Sequence, residues 1–239
     1  TMRGIRLLRE NGVDVKIGGS LAKANQKDLE RLIAMGEELE IPVRVDTYML
    51  PATREREAPY DMQARLNPEE AAQARVYALK REMGPELFAQ YAVQSVWMAD
   101  HPQPAKEEPG HMACMAGRCS FTINWQGEMR PCVILTKPAA SVFEVGFDSA
   151  WKYLVEETGK ILLSARCSVC QVRHLCRTCA ASALLETGSY DGVPDYMCRY
   201  TKESLRLLRE EWEKMPKDHV RFESEESQEA AVTEEKEQE

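Results

Sequence analysis

The cysteines constrain this chain more than any other feature, because all eight lie between Cys114 and Cys198. Four of them fall within thirteen consecutive residues as C-x2-C-x5-C-x2-C. Packing in an ordinary apolar core does not account for such a density of thiols, which therefore indicates a chemical role. In chain order the cysteines are Cys114, Cys119, Cys132, Cys167, Cys170, Cys176, Cys179 and Cys198.

Three chemistries compete for these thiols. Structural disulfides belong mainly to small secreted domains, whereas C-x2-C pairs in a chain that opens with no apolar signal segment favour metal or redox chemistry. Zinc is the second alternative, since eight thiolates can form two four-cysteine sites. His174 could replace one thiolate, but a single histidine in such a run is more often a surface residue or a neighbour of a ligand. Iron–sulfur is the third, since eight thiolates supply two cubane clusters.

The order of the dense run indicates how two clusters would share it. In bacterial two-cluster ferredoxins the last cysteine of the dense run binds the other cluster. By the same logic Cys167, Cys170 and Cys176 bind one cluster, and Cys179 turns toward the second.

The segment between Cys119 and Cys132 is predicted to be a β-hairpin. Phe121, Ile123 and Trp125 alternate with polar residues, which is the pattern of a strand with two different faces. Gly127 then supplies the positive φ that a tight turn needs. The hairpin brings the two cysteines at its ends together, which gives a physical reason for their spacing.

Charge and hydropathy exclude several classes of partner. The formal net charge is −8, and residues 222–239 carry eight Glu and one Lys, or −7, so the rest of the chain sums to −1. A chain without a basic field is not expected to bind nucleic acid. No run approaches the 18–20 apolar residues or so that cross a bilayer. We therefore expect a cytoplasmic protein that binds neither nucleic acid nor membrane.

Residues 1–50 read as helix, strand, helix, strand. An amphipathic helix is predicted for residues 2–11, alternating runs predict strands over 13–17 and 43–49, and Asn25 is predicted to cap the helix between them. This order predicts parallel strands joined by a helical crossover. A small α+β cap is the alternative.

The remaining segments are predicted from helix and loop signals. Residues 51–66 read as a loop, and Asn67-Pro68-Glu69-Glu70 reads as the start of a helix that runs to about Met83. A second helix is predicted from Glu86 to Met98, and residues 100–112, rich in proline, read as a linker. Residues 201–215 are predicted to form an amphipathic helix, followed by a disordered acidic tail over 216–239.

The cysteine-containing segments together resemble the SPASM domain of radical S-adenosylmethionine (SAM) enzymes, a group that includes peptide maturases and anaerobic sulfatase-maturating enzymes. The resemblance rests on three features: Cys114-Met-Ala-Gly117; the pattern Phe121-x-Ile123-x3-Gly127-x4-Cys132; and the dense run with its final Cys198. It implies an α/β fold, with the C-terminal part of a partial (β/α)6 radical SAM barrel over 1–60 and a helical connection and linker over 61–112. A cysteine-rich SPASM domain with a β-hairpin and short helices follows over 113–200.

The resemblance also implies the cofactors and their ligands. Two auxiliary [4Fe-4S] clusters are expected, the first bound by Cys114, Cys119, Cys132 and Cys179. The second is expected to be bound by Cys167, Cys170, Cys176 and Cys198. The family's dense run often ends C-x3-C, whereas Cys176 and Cys179 are separated by two residues.

The sequence departs from the family in its catalytic residues. Radical SAM chemistry uses a C-x3-C-x2-C loop to bind a third [4Fe-4S] cluster and SAM, and the chain contains no such loop. We therefore expect a C-terminal part of a longer enzyme. Sulfatase-maturating relatives place an aspartate base where this chain has Val133, so no catalytic residue is nominated. Asp46, Asp100 and Asp148 are expected to be surface or capping residues.

The expected partners follow from the same resemblance. They are a peptide or protein substrate and an electron donor such as a flavodoxin or ferredoxin. The alternative is a stand-alone iron–sulfur or four-cysteine zinc module with a structural or partner-binding role.

Overall fold

The computed structural model describes residues 1–48, 64–176 and 178–215, and these ranges form a mixed α/β protein in which helices predominate over three small sheets. The helices are α1 (Met2–Glu10), α2 (Leu29–Leu39), α3 (Pro68–Asp100), α4 (Val142–Val145), α5 (Phe147–Gly159), α6 (Ala165–Ser168), α7 (Ala180–Thr187) and α8 (Asp195–Lys214). The strands are β1 (Ile17–Ser20), β2 (Val43–Asp46), β3 (Gly110–His111), β4 (Thr122–Ile123), β5 (Glu128–Arg130), β6 (Ala140–Ser141) and β7 (Leu162–Leu163).

The N-terminal unit has the predicted order of helix, strand, helix and strand. Strands β1 and β2 pair in parallel, with Ile17 opposite Val43 and Ser20 opposite Asp46, and α2 makes the crossover between them. The buried Val45 packs in a core with Leu21, which follows β1, and with residues of α2 and α3. The predicted parallel pair is thus confirmed, although the described residues form only this two-stranded sheet here and no barrel.

Two local predictions in this unit are wrong. The first strand begins at Ile17, so Val13 precedes it and is largely exposed. Asn25 does not cap α2, because it lies inside a short 3₁₀ helix, Lys23–Asp28. Its side chain accepts a hydrogen bond from Ala22 N–H at 2.7 Å and donates one to Ser20 O at 3.0 Å. Asn25 therefore shapes the exit from β1.

Helix α3 begins where Asn67 predicts. The Asn67 side chain accepts from Glu70 N–H at 2.8 Å, while the Glu70 carboxylate accepts from Asn67 N–H at 3.1 Å, which is a capping box. The two predicted helices are the two halves of α3, separated by a kink at Gly84, whose φ is +74°, and Pro85. Helix α3 packs along α8, with Phe88 and Leu208 fully buried between them.

The cysteine-rich region contains the predicted hairpin. Strands β4 and β5 pair antiparallel, with Thr122 opposite Arg130, and the turn between them ends at Gly127, whose φ is +80°. The sequence did not predict β6, which pairs with β5 and adds a third strand. Helix α5 packs against this sheet through the buried Ala150 and Leu154.

The C-terminal helix starts earlier than predicted. It begins at Asp195, after Pro194, so the predicted start at residue 201 is wrong and Cys198 lies in its first turn. The predicted acidic tail over 216–239 and most of the predicted loop over 51–66 lie outside the described residues. None of the described helices combines the length and apolarity needed to cross a membrane.

Candidate metal centre

Three cysteines of the dense run are held in a series of tight turns. Cys167 lies in the short helix α6, and the Cys167 carbonyl accepts a hydrogen bond from Cys170 N–H at 3.4 Å. Two hydrogen bonds close the next turns. Arg173 N–H donates to Cys170 O at 2.9 Å, and Cys176 N–H donates to Val172 O at 3.1 Å. Turns of this kind keep the three thiols within one short coil of backbone.

This coil is anchored on the pair of helices α3 and α8. Val172 is buried in the core that those helices form. On either side of it, Gln171 donates to Ala99 O at 2.8 Å, and His174 Nε2 hydrogen-bonds Ser95 O at 2.8 Å. His174 therefore uses a ring nitrogen to anchor the coil to α3, in line with the interpretation of it as a neighbour of the ligands.

Cys198 is an electrostatic neighbour of the other three thiols of its predicted set. Burial raises the pKa of the Cys198 thiol, and the neighbouring thiols of Cys176, Cys167 and Cys170 raise it further. Burial also raises the pKa of Cys167, while the nearby Arg173 guanidinium acts to lower it. Four cysteines that are up to 31 positions apart in the sequence are thus electrostatic neighbours.

The other predicted set is brought together in part. Cys132 and Cys179 both pack against one apolar cluster that includes Leu135 and Ala180. The Cys132 sulfur accepts N–H bonds from Ile134 at 3.4 Å and Leu135 at 3.2 Å. Cys179 caps the N-terminus of α7, where its sulfur accepts from Ser182 N–H at 3.4 Å. Both sulfurs therefore accept hydrogen bonds from backbone N–H groups.

Cys114 and Cys119 are the exposed members of this set. Two backbone hydrogen bonds close their loop. Cys119 N–H donates to Met115 O at 3.1 Å, and Gly117 N–H donates to Ser120 O at 2.8 Å. The hairpin register, with Thr122 opposite Arg130, brings the chain before β4 toward the chain after β5. That register supports the expected approach of Cys119 to Cys132.

All eight cysteines are free thiols. Across the described residues, no group of three or more His, Cys, Asp or Glu side chains is arranged to hold a metal ion. In the described ranges, the four thiols of the second set are thus electrostatic neighbours, and Cys132 and Cys179 of the first set share one apolar cluster, without a close-packed ion site.

The structure adds a buried polar network that the sequence analysis did not find. Arg65 forms a salt bridge of 3.0 Å with Glu186, and the side chains are only 4% and 12% exposed. Tyr48 contacts the same carboxylate at 3.5 Å. These residues lie far apart in the sequence with no motif to connect them, so no sequence signal could have paired them.

A cleft of about 1080 Å³ lies between β2, α3 and α8. Its wall includes Tyr48 and Tyr200, together with Leu175, which precedes Cys176, and Met197, which precedes Cys198. The lining carries both signs of charge, including Arg44 and Glu37 among other ionic side chains. The cleft therefore has a partly charged lining and reaches the residues next to the cysteines.

The carboxylates named from the sequence have ordinary surroundings. Asp46 pairs with Arg44 at 2.9 Å, and Asp100 pairs with Arg209, both at the surface. Asp148 lies in the first turn of α5. Val133 is 74% exposed.

Comparison of the chain with protein-family models, with curated proteins and with solved structures gives no match.

Proposed function

We propose that this chain binds two [4Fe-4S] clusters. Cys114, Cys119, Cys132 and Cys179 bind the first, and the remaining four cysteines bind the second. The observation that carries the proposal is that Cys198, from α8, is an electrostatic neighbour of the thiols of Cys167, Cys170 and Cys176. Four cysteine thiols are the ligand set of a cubane cluster.

The surroundings of the thiols support this cofactor. Backbone N–H groups donate to the sulfurs of Cys132 and Cys179, and such bonds stabilise thiolates bound to iron. Nearby cations act against the stronger effect of burial on two thiols of the second set. The pKa of Cys167 is lowered by Arg173 and Arg166, and the pKa of Cys198 is lowered by Lys202. These cations offset the negative charge of a thiolate-ligated cluster.

A cubane cluster and a single zinc ion require different spacings of four thiols. Tetrahedral zinc holds its four sulfurs about 3.8 Å apart, because each Zn–S bond is about 2.3 Å long. In a cubane each thiolate binds a different iron atom, so the sulfurs stand further apart. Iron and sulfide content therefore distinguishes a cluster from a single ion.

The clusters, when bound, accept and release single electrons. The proposed whole protein is a radical SAM enzyme with a SPASM domain, in which residues 1–60 contribute to the partial barrel. The parallel β1–β2 pair with its helical crossover supports this assignment. SAM and a third cluster belong only to a form that contains the C-x3-C-x2-C loop. A flavodoxin or ferredoxin in a cytoplasm low in oxygen is the proposed electron donor.

The proposed substrate is a peptide or protein segment bound in the cleft. The cleft is large enough for several residues, and its lining combines apolar side chains with tyrosines and charged groups, as ligand sites commonly do. The cleft lies beside the proposed second cluster, because its lining residues Leu175 and Met197 directly precede the ligands Cys176 and Cys198. Tyr48, also in the lining, lies on the side of the proposed first cluster.

Matched serine variants test the two ligand sets. The full chain is purified without oxygen and reconstituted, and iron and acid-labile sulfide are measured per chain. The unsubstituted protein is expected to hold about eight of each. Cys132→Ser and Cys170→Ser are each expected to retain about four, with different electron paramagnetic resonance (EPR) signals remaining, and each variant is the control for the other.

Two outcomes would overturn this assignment. A protein that retains its full iron after both substitutions does not use these ligands. A protein that takes up about two zinc ions and no sulfide is a four-cysteine zinc module.

A further inference from the structure

Strand β4 forms one edge of its three-stranded sheet, whose order is β4-β5-β6. Asn124 N–H donates to Glu128 O at 3.0 Å, so these two residues form a hydrogen-bonded pair of the antiparallel ladder. Bonded and non-bonded pairs alternate along such a ladder, so the next pair, Ile123 and Met129, is non-bonded. The backbone N–H and C=O of Ile123 therefore point away from β5, toward the edge of the sheet.

The part of the chain that the structure describes leaves this edge without a partner strand, and no backbone hydrogen bond from outside the sheet reaches Ile123 there. Strand β2 is different, because side chains of α3 cover its edge. Val45 N–H donates to Glu82 Oε1 at 2.9 Å, and Val45 O accepts from Arg75 Nη1 at 3.0 Å. The fold thus closes the edge of β2 and leaves that of β4 open.

The sequence of the β4 edge lacks the features that usually protect an exposed strand. Residues 119–127 contain no charged side chain and no proline. Lysine and proline are common at exposed edges, because either one opposes pairing with another chain. An uncharged edge with unpaired backbone groups is suited to accept a further strand.

Apolar side chains lie on one face of the same edge. Ile123 is opposite Met129, which is fully buried against α5, so Ile123 lies on the face of the sheet that bears α5. Phe121 is two residues earlier and shares this face. Its ring contacts Phe147 and Trp151 of α5, with ring centres 5.4 and 5.6 Å apart. A strand added at this edge would therefore meet an apolar surface on that face.

The area of the exposed surface matches a peptide better than a second copy of the chain. Trp125, in the hairpin turn, is 90% exposed, and Phe121, Ile123 and Phe147 are also exposed. Together they offer on the order of 500 Å², since a large aromatic side chain accounts for about 150–250 Å². A symmetric dimer through this surface would bury about 1,000 Å², whereas a stable interface typically buries about 1,600 Å². A short peptide needs less area, because main-chain hydrogen bonds supply part of its affinity.

We propose that the outer edge of β4 is a docking site at which an extended peptide segment pairs as a fourth strand. The segment is uncharged and carries apolar side chains at alternate positions, which lie on the face that α5 covers. The site is separate from the lining of the cleft between β2, α3 and α8. The inference goes beyond the proposed function, because it requires no bound cluster and no ligand in the cleft.

A strand-forming probe tests the site in the full chain. The probe is a fluorescein-labelled peptide with a core of eight alternating valine and threonine residues and a lysine at each end for solubility. Binding is measured by fluorescence anisotropy and compared with that of a control probe N-methylated at every core amide. The control retains the side chains but cannot donate a ladder hydrogen bond. It should bind about tenfold more weakly or worse, as expected when two or more hydrogen bonds are lost.

Variants of the chain locate the probe on β4. Ile123→Pro removes the outward N–H and leaves the β4–β5 hydrogen bonds, which the non-bonded pair does not make. It should weaken binding of the unmodified probe by about tenfold. Leu87 is an exposed apolar residue of α3, away from the hairpin, so Leu87→Ala should leave binding unchanged. In the unsubstituted chain, the probe should slow amide hydrogen exchange in residues 119–127.

Several outcomes would overturn the proposal. Absence of saturable binding, or equal binding of the two probes, would exclude strand pairing. Unchanged binding in Ile123→Pro would place the probe elsewhere. A chain that sediments as a dimer, and as a monomer after Ile123→Pro, would assign the edge to a second copy. If Ile123→Pro fails to fold, hydrogen exchange in the unsubstituted chain decides, and no protection of residues 119–127 refutes the docking site. The iron content bears on the proposed function alone.

Discussion

Glu186→Gln should destabilise the protein far more than substitution of a surface acid. The change leaves the Arg65 guanidinium charged and 4% exposed, without its counterion. Removal of one partner of a buried ion pair typically costs about 3–5 kcal/mol. For a chain of this size, each kcal/mol lowers the Tm by about 2–4 °C, so a shift of about 6–20 °C is expected.

The matched control is an ion pair of similar geometry at the surface. Arg199 donates to Glu69 at 3.0 and 2.9 Å, but the side chains are 52% and 38% exposed. Surface pairs contribute about 0–1 kcal/mol, so Glu69→Gln should change the Tm by only a few degrees. Both variants are compared with the unsubstituted protein by circular dichroism during anaerobic heating at equal cluster content.

A double variant identifies the origin of the loss. Among the described residues, Arg65 Nε and Nη1 are buried without hydrogen-bond partners, so the guanidinium is incompletely compensated even in the intact pair. Arg65→Met with Glu186→Leu should therefore regain most of the stability that Glu186→Gln loses. The reasoning is refuted if Glu186→Gln and Glu69→Gln cost the same within about 1 kcal/mol.

Three further predictions concern the cysteine coil, the hairpin and a surface ion pair. Val172→Ala should cost about 2 kcal/mol through lost burial and a cavity, and should lower the iron content of the second cluster alone, measured by EPR. Gly127→Ala and Gly146→Ala should each cost about 1–3 kcal/mol, because φ is +80° and +79°. Only Gly127→Ala should reduce the iron of the first cluster, and equal iron loss in both would contradict the hairpin's role. Arg209 holds the pKa of Asp100 below its usual range. The ion pair therefore stabilises the fold at pH values above the ordinary carboxyl pKa. This stabilisation is lost as the pH falls through the lowered pKa of Asp100. Asp100→Asn should therefore cost no more than about 1 kcal/mol at pH 7, and less in high salt; a cost that does not depend on salt would refute the electrostatic origin.

Local signals in the sequence predicted much of the fold. The Asn67 capping box, the Gly127 turn and the parallel β1–β2 pair were all predicted, because each depends on residues close in sequence. The early start of α8 at Asp195 was missed, since amphipathicity is clearest in the part of the helix that packs on α3. Strand β6 was missed because two residues show no period.

The sequence nominated candidate ligands where spacing determines chemistry. The dense cysteine run identified its own members, and the grouping of Cys198 with them came from the resemblance. The contact between Tyr48, Arg65 and Glu186 could not be predicted, because tertiary packing of separate segments brings them together. The cleft likewise arises from the relative placement of β2, α3 and α8 rather than from any single motif.

Metal and acid-labile sulfide per chain, after anaerobic purification and reconstitution, test the central claim most directly. The account predicts about eight iron and about eight sulfide, which corresponds to two cubane clusters. About two zinc ions without sulfide would contradict it and would leave a protein with two four-thiolate zinc sites.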